Sequence, residues 1–305
     1  MAGLKIAVTG ATGFVGKAVV KYFRSQGATV YRLVRPHSNV EPEATDIAWD
    51  VVTQTIDLPK LEGMDAIIHL AGENIAGQRW TKAFKQKILE SRVQGTTFLC
   101  GALYKLQNPP KVLISASASG YYGYHHGIEI LSESAAPGTD FLAQVCQEWE
   151  QATKGAELAG IRVINLRMAA ILGKESGALS KMLPIFKLGL GGPIGSGNQI
   201  FSWIALDEIP SIIDHLVRKA TNIKGPINVA SPFSVSNRDY TKTLGKVLKR
   251  PTAFPLPASI CRVMFGEMAD AILLASANLW PKKLEESGYV FKHGQLEQNL
   301  REILK

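Results

Sequence analysis

The feature that most constrains this chain is a run near its start, Thr9-Gly10-Ala11-Thr12-Gly13-Phe14-Val15-Gly16. It lies between a short apolar strand at 4–9 and an amphipathic helix at about 16–26, which puts Val15, Val19 and Phe23 on one face and has Gly27 as its stop. Glycines at 10, 13 and 16 form a variant of the dinucleotide-binding fingerprint. One makes the tight turn, one lets the backbone approach a pyrophosphate, and one packs helix against strand. The helix start then presents free N–H groups and a partial positive charge to an anion. Thr9, Gly10, Thr12, Gly13, Phe14, Val15 and Gly16 are therefore the expected phosphate-binding turn.

The first half of the chain goes on alternating strand and helix. Residues 29–34 are β-branched and strand-like, and 65–71 form a continuous apolar run, as in a strand covered on both faces. A long helix is expected from Thr81 to about Leu103, interrupted by nothing stronger than Gly95 and Gly101. Strands at 111–115 and 162–166 flank a helix around 144–158. Such alternation implies right-handed crossovers and an α/β fold, a Rossmann-type doubly wound parallel sheet. After about Gly173 the texture changes. Residues 189–197 are too glycine-rich for a helix or central strand, and 225–305 carry six prolines between helix-like stretches at 236–249 and 257–277. The expected division is a dinucleotide-binding domain at 1–173, its sheet completed by part of 200–230, and a smaller, mainly helical substrate lobe at 174–305.

The end of the second strand bears on the choice of cofactor. NAD-specific folds usually place a carboxylate there for the ribose 2′-hydroxyl. Here the strand ends Leu33-Val34-Arg35-Pro36, and the nearest acid is Glu41. A guanidinium at Arg35, beside Val34, suits the 2′-phosphate of NADP(H). The alternative is a solvated surface arginine, with Arg32 equally exposed.

Composition narrows the class. With 46% hydrophobic and 20% charged residues over 305 positions, the chain reads as an ordinary soluble globular protein. No apolar run approaches the roughly 18–20 residues needed to cross a bilayer. The N-terminus runs directly into a strand, leaving no room for a signal peptide, so a cytoplasmic location is expected. Cys100, Cys146 and Cys261 are widely separated and odd in number, which fits reduced thiols rather than a disulfide framework. The net charge of +8 is spread over 34 Lys and Arg with no basic block of five or more. Neither nucleic acid nor a membrane is indicated, and the excess suits small anionic molecules. His125 and His126 lie in an expected surface loop with no other histidine at metal-ligand spacing, so no metal is assigned.

Taken together, these residues resemble the extended short-chain dehydrogenase/reductase superfamily. More narrowly, they are similar to its atypical "epimerase family" proteins, the NAD-dependent epimerase/dehydratase-like 39U type with a C-terminal domain of unknown function. The resemblance covers nearly the whole chain. It rests on the turn at 9–16, His-Leu-Ala-Gly-Glu-Asn at 69–74, Ser-Arg at 91–92, Ser-Gly-Tyr-Tyr-Gly at 119–123 and Trp-Glu at 149–150. Arg167, Ile-Leu-Gly at 171–173, Gly-Leu-Gly-Gly-Pro-Ile-Gly-Ser-Gly at 189–197, Trp203-Ile204 and Gly-Tyr-Val-Phe at 288–291 complete it. The resemblance implies that Leu70, Ala71 and Gly72 pass beneath the cofactor's ribose and pyrophosphate. It also implies that Lys87, Arg92 and Ser115 lie near the cofactor, and Ile171 beside the nicotinamide. Many relatives dimerise through helices beside the sheet, which makes a homodimer an expectation.

At the catalytic positions the chain departs from the superfamily. The superfamily's mechanism uses a tyrosine, a lysine four residues on, and a Ser or Thr at the end of the preceding strand. If Glu150 matches the acid that follows the pair, the tyrosine position holds Leu142 and the lysine position Cys146. The Ser/Thr position falls on Ala118, flanked by Ser117 and Ser119. Tyr121 is the preferred replacement proton donor. The competing view has Tyr121 and Tyr122 packing the loop over the cofactor, with Tyr122 toward substrate. Glu73 is an acid/base candidate if buried, and Ser117 or Ser119 could hydrogen-bond a substrate oxygen. On the substrate side, residues 191–197, Gln199 and Trp203 are expected to wall a pocket. The family's histidine after Trp-Ile is Ala205 here, while Asp207 is kept. Two functions follow: an NADP(H)-dependent oxidoreductase or nucleoside-diphosphate-sugar epimerase acting on an unknown small molecule, or a regulatory NADP(H)-sensing protein with little turnover.

Overall fold

The computed structural model describes residues 3–36, 40–124 and 127–305. Its framework is an eight-stranded sheet. The first six strands are β1 (Lys5–Thr9), β2 (Thr29–Val34), β3 (Asp46–Asp50), β4 (Thr55–Ile56), β5 (Ala66–His69) and β6 (Val112–Ala118). The order across the sheet is Gly225–Val229, Arg162–Met168, β6, β5, β1, β2, β3, β4. Every pairing is parallel except β3 with β4. The chain builds outward from β1 through β2 and β3, then crosses to β5 on the other side. The carboxyl ends of β1 and β5 are thus the switch point at which such sheets open a ligand crevice.

Alternate residues on the central strands feed two cores. Ile6, Val8, Ile68 and Ile114 face α1 (Phe14–Ser25) and the Glu208–Arg218 helix, meeting Val19, Phe23, Ile209, Ile212 and Leu216. Ala7, Ile67 and Leu113 face α2 (Lys82–Tyr104), meeting Leu99 and Leu103. Burial on both sides explains why β5 is apolar without alternation. The long α2 runs unbroken through Gly95 and Gly101, with Thr81 capping its start by accepting from the Phe84 amide. Asp140 caps α3 (Phe141–Ala152) in the same way at Ala143.

The remainder forms a core of its own, in which Leu179, Leu183, Phe186, Trp203, Tyr240, Leu244 and Leu300 pack together. The fully buried carboxylate of Glu208 fastens the tail, accepting from the Tyr289 hydroxyl and from the amides of Lys292 and His293. That is the physical content of the Gly-Tyr-Val-Phe motif. Among the described residues, no helix is long and apolar enough to cross a membrane.

Three local expectations are corrected. The helix around 144–158 breaks at Thr153 into Phe141–Ala152 and Lys154–Glu157. The stretch 257–277 stops at Gly266, whose φ of +60° ends the Ala258–Phe265 helix, and resumes as a short π-helical turn at Ala269–Leu273. The β3–β4 hairpin fills a stretch that had no assigned element.

Candidate functional site

At the crevice, β1 turns into α1 with Gly13 at the N-cap and no side chain capping the helix. Thr12 and Gly13 are exposed, the Gly13 amide donates to the Gly10 carbonyl at 2.9 Å, and the first amides of α1, at 14–16, lack intrahelical acceptors. Gly10, at φ +64°, makes the turn possible. A Cβ there would stand 2.8 Å from the Leu70 carbonyl group and 2.9 Å from the Ala71 nitrogen. A Cβ at Gly16 would come within 2.1 Å of the Gly10 oxygen, so only glycine lets the helix sit this close to the turn.

Thr9 joins the two halves of the crevice. Its hydroxyl accepts from the Leu70 amide (3.1 Å) and the Ala71 amide (3.2 Å), so its own proton goes to His69 Nδ1 at 2.7 Å. His69 therefore carries its proton on Nε2 and donates to Thr96 Oγ1 at 2.9 Å, tying β5 to α2. Full burial pushes the His69 pKa down to about 4. Unfolded, the ring titrates near 6.5, so between these values the unfolded chain binds the extra proton. The stabilisation is complete above about pH 6.5 and is lost as pH falls toward 4. Urea unfolding is expected to show about 2 kcal/mol less stability at pH 5 than at pH 7 from this group. A His69→Gln variant should lack that component; an identical slope in the variant would count against the assignment.

The two arginines of the second strand differ. Arg32 is spent, with Nε and Nη2 on Asp46 at 2.7 Å and Nη1 on Glu43 at 2.7 Å. This overturns its expected equal exposure. Arg35, beyond the half-buried Val34, is exposed and has no hydrogen-bond or ion-pair partner among the described residues.

Beyond β6 lies a buried polar row. Ser117, Arg167 and Asn228 are in register on three neighbouring strands, so their side chains share one face. Glu150, from α3, accepts from Ser117 Oγ (2.7 Å) and from Arg167 Nε and Nη2 (2.8 and 2.9 Å). Arg167 also donates to the Glu133 carbonyl and the Tyr122 hydroxyl, and Tyr122 donates to Asn228 Oδ1 at 2.6 Å. Burial disfavours the Arg167 charge, but the Glu150 hydrogen bonds outweigh it and raise the pKa above the usual range. The guanidinium lies 3.3 Å from the centre of the Tyr121 ring. Leu142 and Cys146 are buried against Gly120, and burial pushes the Cys146 thiol up to about 12.

Residues 6–230 match the model of the NAD dependent epimerase/dehydratase family, and 256–303 match a domain of unknown function, DUF1731. The chain belongs to the NAD dependent epimerase/dehydratase family. It is 35% identical over 304 residues to epimerase family protein YfhF of Bacillus subtilis, covering 99% of this chain and 98% of that protein. It is 32% identical over 305 residues to human epimerase family protein SDR39U1, covering 99% and 100%. The crystal structure of the human protein (isoform 2) with NADPH superposes with a TM-score of 0.88 at 30% identity, over 98% of this chain and 99% of that one. A nucleoside-diphosphate sugar epimerase from Corynebacterium glutamicum gives 0.80 at 34% identity, over 99% of this chain and 58% of that one.

Within this family member, the expected site residues sort by what they touch. Leu70 and Ala71 flank the crevice, half-buried, with their amides on Thr9. Phe14 lies under Gly173, just past Ile171 and Leu172, and so closes the turn against the strand Ala170–Leu172. Arg92 packs against Gly72 and lies 5.0 Å from the Trp149 ring centre, with Nη1 donating to the Ile88 carbonyl. Ser91 Oγ accepts from the Glu73 amide, pinning the turn after β5.

Several expectations are corrected. Ser115 is fully buried inside β6, its hydroxyl on the Ala116 carbonyl, so that hydroxyl does not face the crevice. Ser117 and Tyr122 are committed to the polar row. Glu73 is only part-buried, and its carboxylate pairs with exposed Lys87 at 3.0 Å, so the two engage each other. Trp203 is fully buried in the core it shares with Leu179, Tyr240 and Leu300 and donates to the Phe233 carbonyl, leaving no face for a ligand. Gln199 donates to the Ile194 and Leu273 carbonyls. A Cβ at Gly192 would meet the Phe254 oxygen at 1.9 Å, so that part of the 191–197 loop packs on the 254–256 segment. Asp207 pairs with His293 at 2.9 Å. His125 and His126 lie outside the described residues. Tyr121 and Ser119 keep hydroxyls with no hydrogen-bond partner among the described residues, at the carboxyl end of β6. Sequence reasoning missed Thr96, Glu133 and Asn228; a histidine inside an apolar run was the one available signal, because a buried imidazole needs partners.

Proposed function

We propose that this protein binds NADP(H) and uses it as an oxidoreductase on a small polar carbonyl or alcohol. The observation that carries this reading is an uncapped helix start at Gly13 with, at the end of the adjacent strand, a guanidinium, Arg35, that no described residue engages. The human relative solved with NADPH supports the same cofactor. The residues fit it: Gly10 and Gly16 let β5 and α1 close tightly on the turn, which a Cβ at either would prevent, and Thr9 holds Leu70 and Ala71 at the crevice. The amides at 14–16 would take the pyrophosphate, the Gly13 amide being held by the Gly10 carbonyl at 2.9 Å, and Val34 and Arg35 the adenosine end. When bound, the cofactor supplies hydride exchange at the nicotinamide. From the protein side, the Tyr121 hydroxyl is the proton donor to the substrate oxygen and Ser119 orients that oxygen.

Calorimetry with purified protein tests the cofactor. Arg35→Glu is expected to weaken NADPH about 100-fold more than NADH, because a carboxylate replaces the charge-assisted partner of the phosphate. Equal losses would remove Arg35 from phosphate recognition. Turnover is tested by NADPH oxidation against a panel of carbonyl compounds. Tight binding without oxidation would favour a second reading, an NADP(H)-sensing protein, which the buried Leu142 and protonated Cys146 support.

A further inference from the structure

An acidic cluster, Asp46 and Glu43, lies beside the second strand. Asp46 stands directly opposite Arg32 in the β2–β3 register, and Arg32 is three residues before Arg35. Arg32 is 11% exposed and Asp46 13%. Arg32 holds Asp46 with Nε and Nη2, Glu43 with Nη1, and the Glu41 carbonyl at 2.9 Å. Glu43 also pairs with Arg24, and its amide donates to Asp46 at 2.9 Å. Two carboxylates are thus cancelled by two guanidinium groups. Three residues of strand span about 10 Å, and charges as buried as these are screened by salt much less than exposed ones. Bare carboxylates at that range would repel a 2′-phosphate, and a carboxylate in this part of the fold is what NAD-specific sites employ.

We propose that Arg32 is a specificity residue that acts without touching the cofactor: it masks Asp46 and Glu43 and so lets Arg35 select the 2′-phosphate of NADP(H). This rests on the NADP(H) reading above. The Asp46 carboxyl is held below its usual range, first by the Arg32 hydrogen bonds, in keeping with a closed ion pair.

The test is the ratio of NADH to NADPH dissociation constants by calorimetry. Arg32→Ala is expected to lower this preference about three- to tenfold, through NADPH alone. Adding Asp46→Asn to it should restore most of the preference. A double variant as poor as the single one would mean that Arg32 contacts the phosphate directly, overturning the masking role. Equal losses for both cofactors would make Arg32 merely structural and also overturn it. If Arg32→Ala does not fold, Asp46→Asn alone decides: it leaves the Arg32 charge uncancelled and is expected to raise the NADPH preference about three- to tenfold; an unchanged or lowered preference would overturn the proposal. A wild-type protein with no preference for NADPH would defeat the NADP(H) reading and this proposal together. A wild-type preference that Arg32→Ala leaves intact would defeat this proposal only.

Discussion

Gly13→Asp is expected to abolish NADPH binding while leaving the fold as stable as the wild type or slightly more so. Gly13 has φ −76° and ψ 176°, an extended conformation open to any residue. A Cβ there meets only the Gly10 oxygen, at 3.2 Å, a tight contact that a small backbone shift relieves. The position is the N-cap of α1, which no side chain now fills. Aspartate is among the preferred N-caps and gains roughly a few tenths of a kcal/mol over glycine there. The same carboxylate would occupy the helix start and oppose the pyrophosphate charge, so a loss of at least about 1000-fold in affinity is expected. Gly10 and Gly16 are unsuited to this test because a Cβ at either would collide with backbone and the fold itself would fail. Calorimetry with NADPH, alongside thermal unfolding, reads both quantities. A stable variant with unchanged affinity would reduce the glycine turn to a bend.

The parts of this protein legible in its sequence are those whose physics is local. The turn at 9–16 is specified by its own glycines, and β5 and α2 by unbroken apolar or periodic runs. What was hidden depends on partners distant in the chain. Arg32 and Arg35 look alike at three residues' separation, and Asp46, on a short strand with two buried residues, tells them apart. Ser117 read as a free hydroxyl because its acceptor, Glu150, lies 33 positions away on α3. Trp203 read as a pocket wall because an aromatic type suits core and cleft equally, and the tail residues that complete its core come about 95 positions later, at Leu296 and Leu300. Glu150 of the Trp-Glu motif, the Tyr-Tyr motif and Arg167, which stood out as site signals, meet in one buried polar row.

That row sets the second large effect. Glu150→Ala removes the acceptor of three hydrogen bonds and leaves Arg167, 3% exposed, without its carboxylate. Truncating one member of a buried ion pair typically costs about 3–5 kcal/mol, because the remaining charge is desolvated and uncompensated. For a chain of this size the melting temperature should fall by on the order of 10 °C. The pair itself is worth much less than this loss, so the apolar double change Glu150→Leu with Arg167→Met should recover a large part of it. Recovery would separate the cost of an orphaned charge from lost packing between α3 and the sheet. The double change also removes the cation stacked 3.3 Å from Tyr121, so the same protein tests whether that stack matters. If stability returns while NADPH oxidation stays low, the row positions the proton donor; if both return, it serves only to hold β6 and the 162–168 strand against α3. A Glu150→Ala protein as stable as the wild type would show that water reaches Arg167 in solution, and that the row is not closed.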